Sequence, residues 1–409
     1  MQKGRRELIR AVAQGLIAAV LMTAGTVQAD PETDLPYGVA KGNEELLVKS
    51  LQNLRAHDFD GALQSIEALT AQRPDFRLAQ LVYADLIASR GAALTGIGNQ
   101  SADQDKLKGL ISEAKARLLI EMEKPSADMV PQAMVMLGED QPSVIVIDTR
   151  LSRLFLFENR AGQPHLIKDF YISYGRGGVR KEKRGDLKTP LGVYFVTNRL
   201  EDRQLPSRYG SGALPINYPN VWDARHGRTG SGIWVHGSPL ETYSRSPLAS
   251  EGCISLTNPD FVELDSLVDI RNTPVLIGEN VRWMQRGDWL AQQQEFSGLL
   301  QDWKQVWEAR DLERFLTYYS PGYKDSLGGI KTFSGRKTRA IKAKSYIRVK
   351  MDNVSLFRYP DNPDLMVATF HQDYESSNYN GTMIKRQYWV REEGRWRISY
   401  EGKPSRGRQ

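Results

Sequence analysis

"HGSPLETYSRSPLASEGCISL", residues 236–256, holds the only cysteine of the 409-residue chain, Cys253, seventeen residues after His236. The run "SGIWVHG" (231–237) reads as a strand that ends at His236, and Gly252 directly before Cys253 permits a tight turn. A cysteine attacks as its thiolate, so a working thiol needs a base close by. His236, one of five histidines, is the candidate base. The backbone N–H groups of Gly252 and Cys253 are the natural donors for charge developing on an attacked carbonyl. The second imidazole nitrogen needs an acceptor; no Asp or Asn supplies one, and the carbonyl of Gly237 next door is the economical choice. Taken singly, Cys253 reads as an inert buried residue and His236 as a satisfied core histidine. Taken together, in a chain with one thiol, they read as nucleophile and base.

The N-terminus indicates the compartment. "MQKGRRELIR" (1–10) is basic, "AVAQGLIAAVLMTAG" (11–25) is apolar apart from Gln14 and Thr23, and Val27 and Ala29 are the small residues a signal peptidase reads. A signal peptide over residues 1–29 and a periplasmic location are expected. The apolar run falls short of the ~20 residues that span a bilayer. The alternative is an uncleaved anchor in the inner membrane. The formal net charge is +6, and residues 1–29 hold four basic residues and one acid, so the mature chain keeps +3. That is too weak for a nucleic-acid partner, and compatible with an anionic polymer such as a cell wall. One cysteine excludes an intramolecular disulfide framework.

The chain reads as multidomain α+β. Residues 30–135 form a helical segment: Leu47, Leu51 and Leu54 share a face, Leu63, Ile66 and Leu69 repeat the pattern, and Leu78, Leu81, Val82 and Leu86 follow. It resembles a tetratricopeptide-like hairpin, with a peptide-binding role or a packed cap as its two readings. "EKPSADMVPQ" (123–132) reads as a linker. From "SVIVIDTRLSRLFLFEN" (143–159) onward, short alternating runs between turns predict a mostly β domain over 142–280. Residues 290–402 begin with an amphipathic helix carrying Leu299, Leu300, Trp303, Val306 and Trp307, and continue in four strand-like runs. That order resembles the NTF2-like cone, which often holds a ligand or partner. His371 and Asp373 share a strand face there and read as an exposed or satisfied pair.

The central stretch resembles the active-site signature of the L,D-transpeptidase (YkuD-type) catalytic domain: HG, a variable loop, then S-x-G-C. Here these are His236-Gly237 and Ser250-Glu251-Gly252-Cys253. "KRGDLKTPLGVYFV" (183–196) resembles the family's G-x-x-x-TP-x-G-x-Y element, and "INYPNVWDARHGRTGSGIWVHG" (216–237) a branch with an NYPN-type segment. The three-part layout is similar to the cell-shape L,D-carboxypeptidases of the same family. The resemblance implies that Cys253 attacks the L-centre carbonyl of diaminopimelate in a peptidoglycan stem tetrapeptide, with His236, Gly237 and Gly252 completing the catalytic set. D-Alanine leaves, and the thioester passes to an amine, or to water in the carboxypeptidase alternative. A non-catalytic wall-binding scaffold is the third reading. Ser250, Tyr218, Arg184 and Lys183 are expected on the substrate side, with Arg176, Arg180 and Lys181 in the same basic loop. No metal or cofactor is expected, because no clustered His/Cys/Asp set stands in the sequence. The expected partners are stem peptides and an occupant of the cone; nucleic acid is excluded, and a homodimer is left open. One departure stands out. The family pattern places arginine two residues after the cysteine, and here that residue is Ser255. This moves weight from crosslinking toward hydrolysis.

Overall fold

Leu47, Leu51 and Leu54 line the buried face of helix α1 (Asn43–Arg55), as their spacing predicts. Helices α2 (Phe59–Gln72), α3 (Arg77–Ser89) and α4 (Gln104–Glu123) complete the helical layer. The Asp58 carboxylate caps α2 by accepting the Gly61 N–H at 3.0 Å. The computed structural model describes residues 42–90 and 103–404, so the expected signal peptide lies outside the described residues. No helix among them is long and apolar enough to cross a membrane.

The central domain is two sheets around one core. The first has the strand order 163–171, 153–160, 143–148, 274–278, 192–195, with the 143–148 and 274–278 strands parallel. Its runs are apolar on both faces because both are covered. Ile145, Ile147, Leu154 and Leu156 face the second sheet, while Val144, Val146, Phe155 and Phe157 face the C-terminal domain. The second sheet has the order 254–255, 234–236, 212–215, 200–201. Its parallel pairing of Trp234–His236 with Ile254–Ser255 brings the two halves of the signature side by side.

The stretch read as a linker is structured. Met129–Pro131 pairs with Trp283–Gln285, and Met134–Met136 adds an edge strand to the C-terminal sheet beside Ile347–Tyr359. Apart from Met136, these strands fall inside the segment expected to be helical. Val130, Met134 and Val135 are fully buried, which is what holds so polar-looking a segment in place.

The C-terminal domain is NTF2-like. Helix Arg286–Glu308 lays Phe296, Leu300, Trp303, Val306 and Trp307 against a five-stranded sheet whose four long strands pair antiparallel. A cavity of about 290 Å³ opens in it, lined in part by Trp307, Lys337, Tyr374 and Lys385. His371 lies 3.6 Å from Asp140 at the surface. The C-terminal domain also packs on the central sheet directly, through Phe357, Tyr359, Leu365, Val367 and Tyr388.

Candidate active site

The parallel pairing brings His236 and Cys253 to neighbouring positions. His236 stands opposite Ser255 and Val235 opposite Ile254. Cys253, two residues before Ser255, therefore shares a sheet face with it and lies diagonal to His236. The imidazole Nδ1–H donates to the Gly237 carbonyl at 2.6 Å. A carbonyl only accepts, so Nδ1 carries the proton and Nε2 is the free base. Tyr209 packs edge-on against the imidazole at 5.1 Å between ring centres, fixing its plane. Gly237 admits no side chain: an added Cβ would lie 2.2 Å from Asn258 Oδ1 and 2.9 Å from the Ser211 nitrogen.

The turn that carries Cys253 is held by three hydrogen bonds. The Ser250 hydroxyl donates to the Cys253 carbonyl at 2.5 Å and accepts the Gly252 N–H at 3.1 Å. The Thr189 hydroxyl donates to the Gly252 carbonyl at 3.0 Å. This is what the threonine of the upstream TP element does: it orients the peptide before the nucleophile. Because that peptide is planar and trans, the Cys253 N–H points opposite the carbonyl that Thr189 holds. Among the described residues, none accepts from the Cys253 N–H. Gly252 has φ +122, and a Cβ there would lie 2.7 Å from the Lys188 carbonyl oxygen, so the position is restricted to glycine.

Several expectations change. The Gly252 N–H is committed to Ser250, so of the two expected oxyanion donors only the Cys253 N–H is open. Ser250 is buried and shapes the turn, in place of the expected substrate contact. Tyr218 is 1% exposed, packs against Tyr194, and donates its hydroxyl to the Thr229 carbonyl at 3.2 Å, so it is a core residue and no substrate contact. The basic loop is largely neutralised: Arg176 pairs with Glu251, Arg180 with Glu279, and buried Lys181 with Asp186 at 2.6 Å. Lys183 and Arg184 are exposed, their backbone N–H groups bonded to Asp186 and Thr229. Ser255, standing where the family pattern has arginine, is buried and donates to the Gly237 carbonyl at 3.2 Å.

The pair is neutral at rest. Burial pushes the His236 imidazole down to about 4, and Arg245 and Arg208 push the same way, against its bond to Gly237. Burial likewise pushes the Cys253 thiol up to about 11, and Glu251 adds to this against the Trp234 N–H, Lys181 and Arg208. The thiol donates to the Gly232 carbonyl at 3.4 Å. A thiolate–imidazolium ion pair, the arrangement a Cys/His signature first suggests, is therefore not the resting state. Alkylation of Cys253 by iodoacetamide at neutral pH is expected to run slower than in the denatured chain, and to keep rising with pH after the denatured chain has levelled off. A native rate above the denatured one would contradict this state.

The loop between the pair is gripped by the helical layer. Tyr243 joins the helical core, with its ring 4.8 Å from Phe76 and the Arg73 guanidinium 4.4 Å above it. Ser244 accepts from Arg117 at 2.9 Å and donates to Glu113 at 2.8 Å. Arg117 also bonds Glu44 at 2.6 Å, and Glu44 is shared with Arg153 of the central sheet, also at 2.6 Å. Arg245 and Tyr209 are the site residues that the sequence reading missed. Arg245 lies in the variable loop of the signature, and Tyr209 in a stretch without a motif.

The domain sets a cysteine and a histidine on one sheet face, the histidine oriented by its neighbour's carbonyl, and comparison with known proteins places the domain in a family. Residues 142–277 match the family model of the YkuD L,D-transpeptidase catalytic domain, and residues 295–402 that of the Cds6 C-terminal NTF2-like domain. The chain thus carries an L,D-transpeptidase catalytic domain joined to a Cds6-type NTF2-like domain. YafK of Escherichia coli K12, assigned to the L,D-transpeptidases, is 31% identical over 129 residues, 31% of this chain. The chain spans about half, 47%, of the length of that curated relative. Bd1075 of Bdellovibrio bacteriovorus is similar in structure, with a TM-score of 0.61 and 28% identity over 68% of this chain and 99% of that one. The helical cell shape determining protein Pgp2 of Campylobacter jejuni shares the fold at a TM-score of 0.55 and 24% identity, over 66% of this chain and 96% of that one.

Proposed function

We propose that the chain acts outside the cytoplasm as a peptidoglycan L,D-acyltransferase that releases D-alanine from stem tetrapeptides. The observation that carries this reading is the Cys253–His236 diagonal, with Nε2 free and the Cys253 N–H unengaged. Sγ adds to the carbonyl of the diaminopimelate L-centre as its proton moves to Nε2. The Cys253 N–H donates a hydrogen bond to the new oxyanion. The C–N bond then breaks, the imidazolium returns the proton to the departing amine, and a thioester remains. An acceptor deprotonated by Nε2 cleaves the thioester and restores the thiol. A neutral resting pair suits this sequence, since transfer to Nε2 occurs only as the carbon–sulfur bond forms.

The acceptor is an amine in crosslinking and water in trimming. Ser255 favours water: the family's arginine is absent, and the small hydroxyl in its place is turned inward onto Gly237. The likeness to a cell shape determining protein points the same way, to remodelling of the wall. The NTF2-like cone, with Trp307 and two lysines on its wall, is suited to an anionic or aromatic occupant. Incubation with diaminopimelate tetrapeptide muropeptides, read by mass spectrometry, tests the reading. Tripeptide with free D-alanine is the expected product. A crosslinked dimer lacking one alanine would assign the amine acceptor, and intact substrate would contradict the proposal.

A further inference from the structure

The basic loop expected to meet substrate carboxylates is mostly paired, whereas Arg245 forms none of the described ion pairs. It is half-buried in the loop between His236 and Cys253. Its backbone carbonyl accepts from the Tyr171 hydroxyl at 2.9 Å and the Ser173 hydroxyl at 3.0 Å. The residue before it, Ser244, is locked to Arg117 and Glu113, and the residue after it, Ser246, packs against Gly109 of α4. From that fixed base the guanidinium donates to the Ala249 carbonyl, beside the turn of Cys253. A thiolate at Cys253 would favour the charged guanidinium, as Glu241 and Glu251 do, and the guanidinium in turn acts on His236.

We propose that Arg245 binds the carboxylate next to the scissile bond of the peptide that Cys253 attacks, and that the helical layer holds it there. This rests on the reaction proposed above. A guanidinium presents five N–H donors in a planar fork matched to a carboxylate, and one donor is spent on Ala249. Holding such a cation half out of water without a counter-charge costs free energy, which an arriving carboxylate offsets. The chemistry recognised is a carboxylate within reach of the reacting carbonyl. On a stem tetrapeptide that is the C-terminal carboxylate of the leaving D-alanine or the side-chain carboxylate of diaminopimelate.

The test compares three tetrapeptides with the full chain: the free acid, the C-terminal D-alaninamide, and the diaminopimelate side-chain amide. The readout is the ratio of kcat/KM values, which is independent of the fraction of correctly folded enzyme. The unaltered chain is expected to favour the free acid over one of the amides by on the order of 10- to 100-fold, the scale of a charge-assisted hydrogen bond. Arg245→Gln should reduce that ratio to near one, and Arg245→Lys should recover part of it. The amide against which the preference collapses identifies which carboxylate is bound. A ratio unchanged in Arg245→Gln overturns the assignment while leaving the reaction intact. If Arg245→Gln releases nothing, the Arg245→Lys ratio decides: a reduced ratio supports the assignment and an unchanged one overturns it. Failure of the unaltered chain to cleave any of the three overturns the reaction together with the inference.

Discussion

Cys253→Ala is expected to lower D-alanine release from a stem tetrapeptide by at least about 10⁴-fold, the scale of removing a covalent nucleophile. The fold should survive. The turn is held by Ser250 and Thr189 through backbone atoms, and the cysteine side chain donates only to the Gly232 carbonyl. A comparable loss is expected for His236→Gln, since the amide offers no base where Nε2 stood. The pH profile follows from the neutral pair. The imidazole works only when unprotonated, and burial holds it at about 4. For the unaltered chain, kcat/KM should therefore climb as pH rises through about 4 and lie flat across neutrality. An acid limb near the ordinary histidine value would show that His236 is solvated in the working enzyme.

The second large effect is on stability, at Glu44. Its carboxylate is buried between Arg117 and Arg153; burial alone would raise its pKa, but the two guanidinium groups outweigh this and hold it at about 2. Glu44→Gln removes the charge that both arginines share. Losing one partner of a buried pair costs about 3–5 kcal/mol. The lower end is expected, because Arg117 keeps Glu113 and Arg153 keeps Asp169. The sign with pH follows from the depressed value. In the unaltered chain this stabilisation is fully present above about 4.5, the ordinary value, and fades as pH falls toward about 2. The variant should lose stability at neutral pH and show a shallower acid limb. Hydrogen exchange should rise in α1 and, through Arg117 and Ser244, in the loop from 239 to 247. Unchanged exchange in that loop would show that the helical layer does not hold it.

Much of this was legible in residue order. The apolar periodicity of Leu47 to Leu86 and the doubly covered run at 143–148 follow from burial, which leaves its mark on composition. The Cys/His pair was legible because each residue sits beside a glycine whose backbone the site requires, at Gly237 and Gly252. The strands at 129–136 were hidden because each is three residues long, too short to show alternation. Tyr218 and Ser250 looked available for substrate because a motif records which residues recur near a site and not which way they face. Both turn inward. Arg245 was missed for the opposite reason. It lies in the variable loop, and only the bonds of Ser244 and Tyr171 show that this loop is anchored.

In the proposed reaction Cys253 carries the acyl group. Intact-protein mass spectrometry of the full chain, quenched in acid within the first turnovers on a tetrapeptide, tests it most directly. The expected species is an adduct of the tetrapeptide less its D-alanine, located on Cys253, released by hydroxylamine and absent from Cys253→Ala. D-Alanine release continuing in Cys253→Ala, or an adduct on another residue, would contradict it.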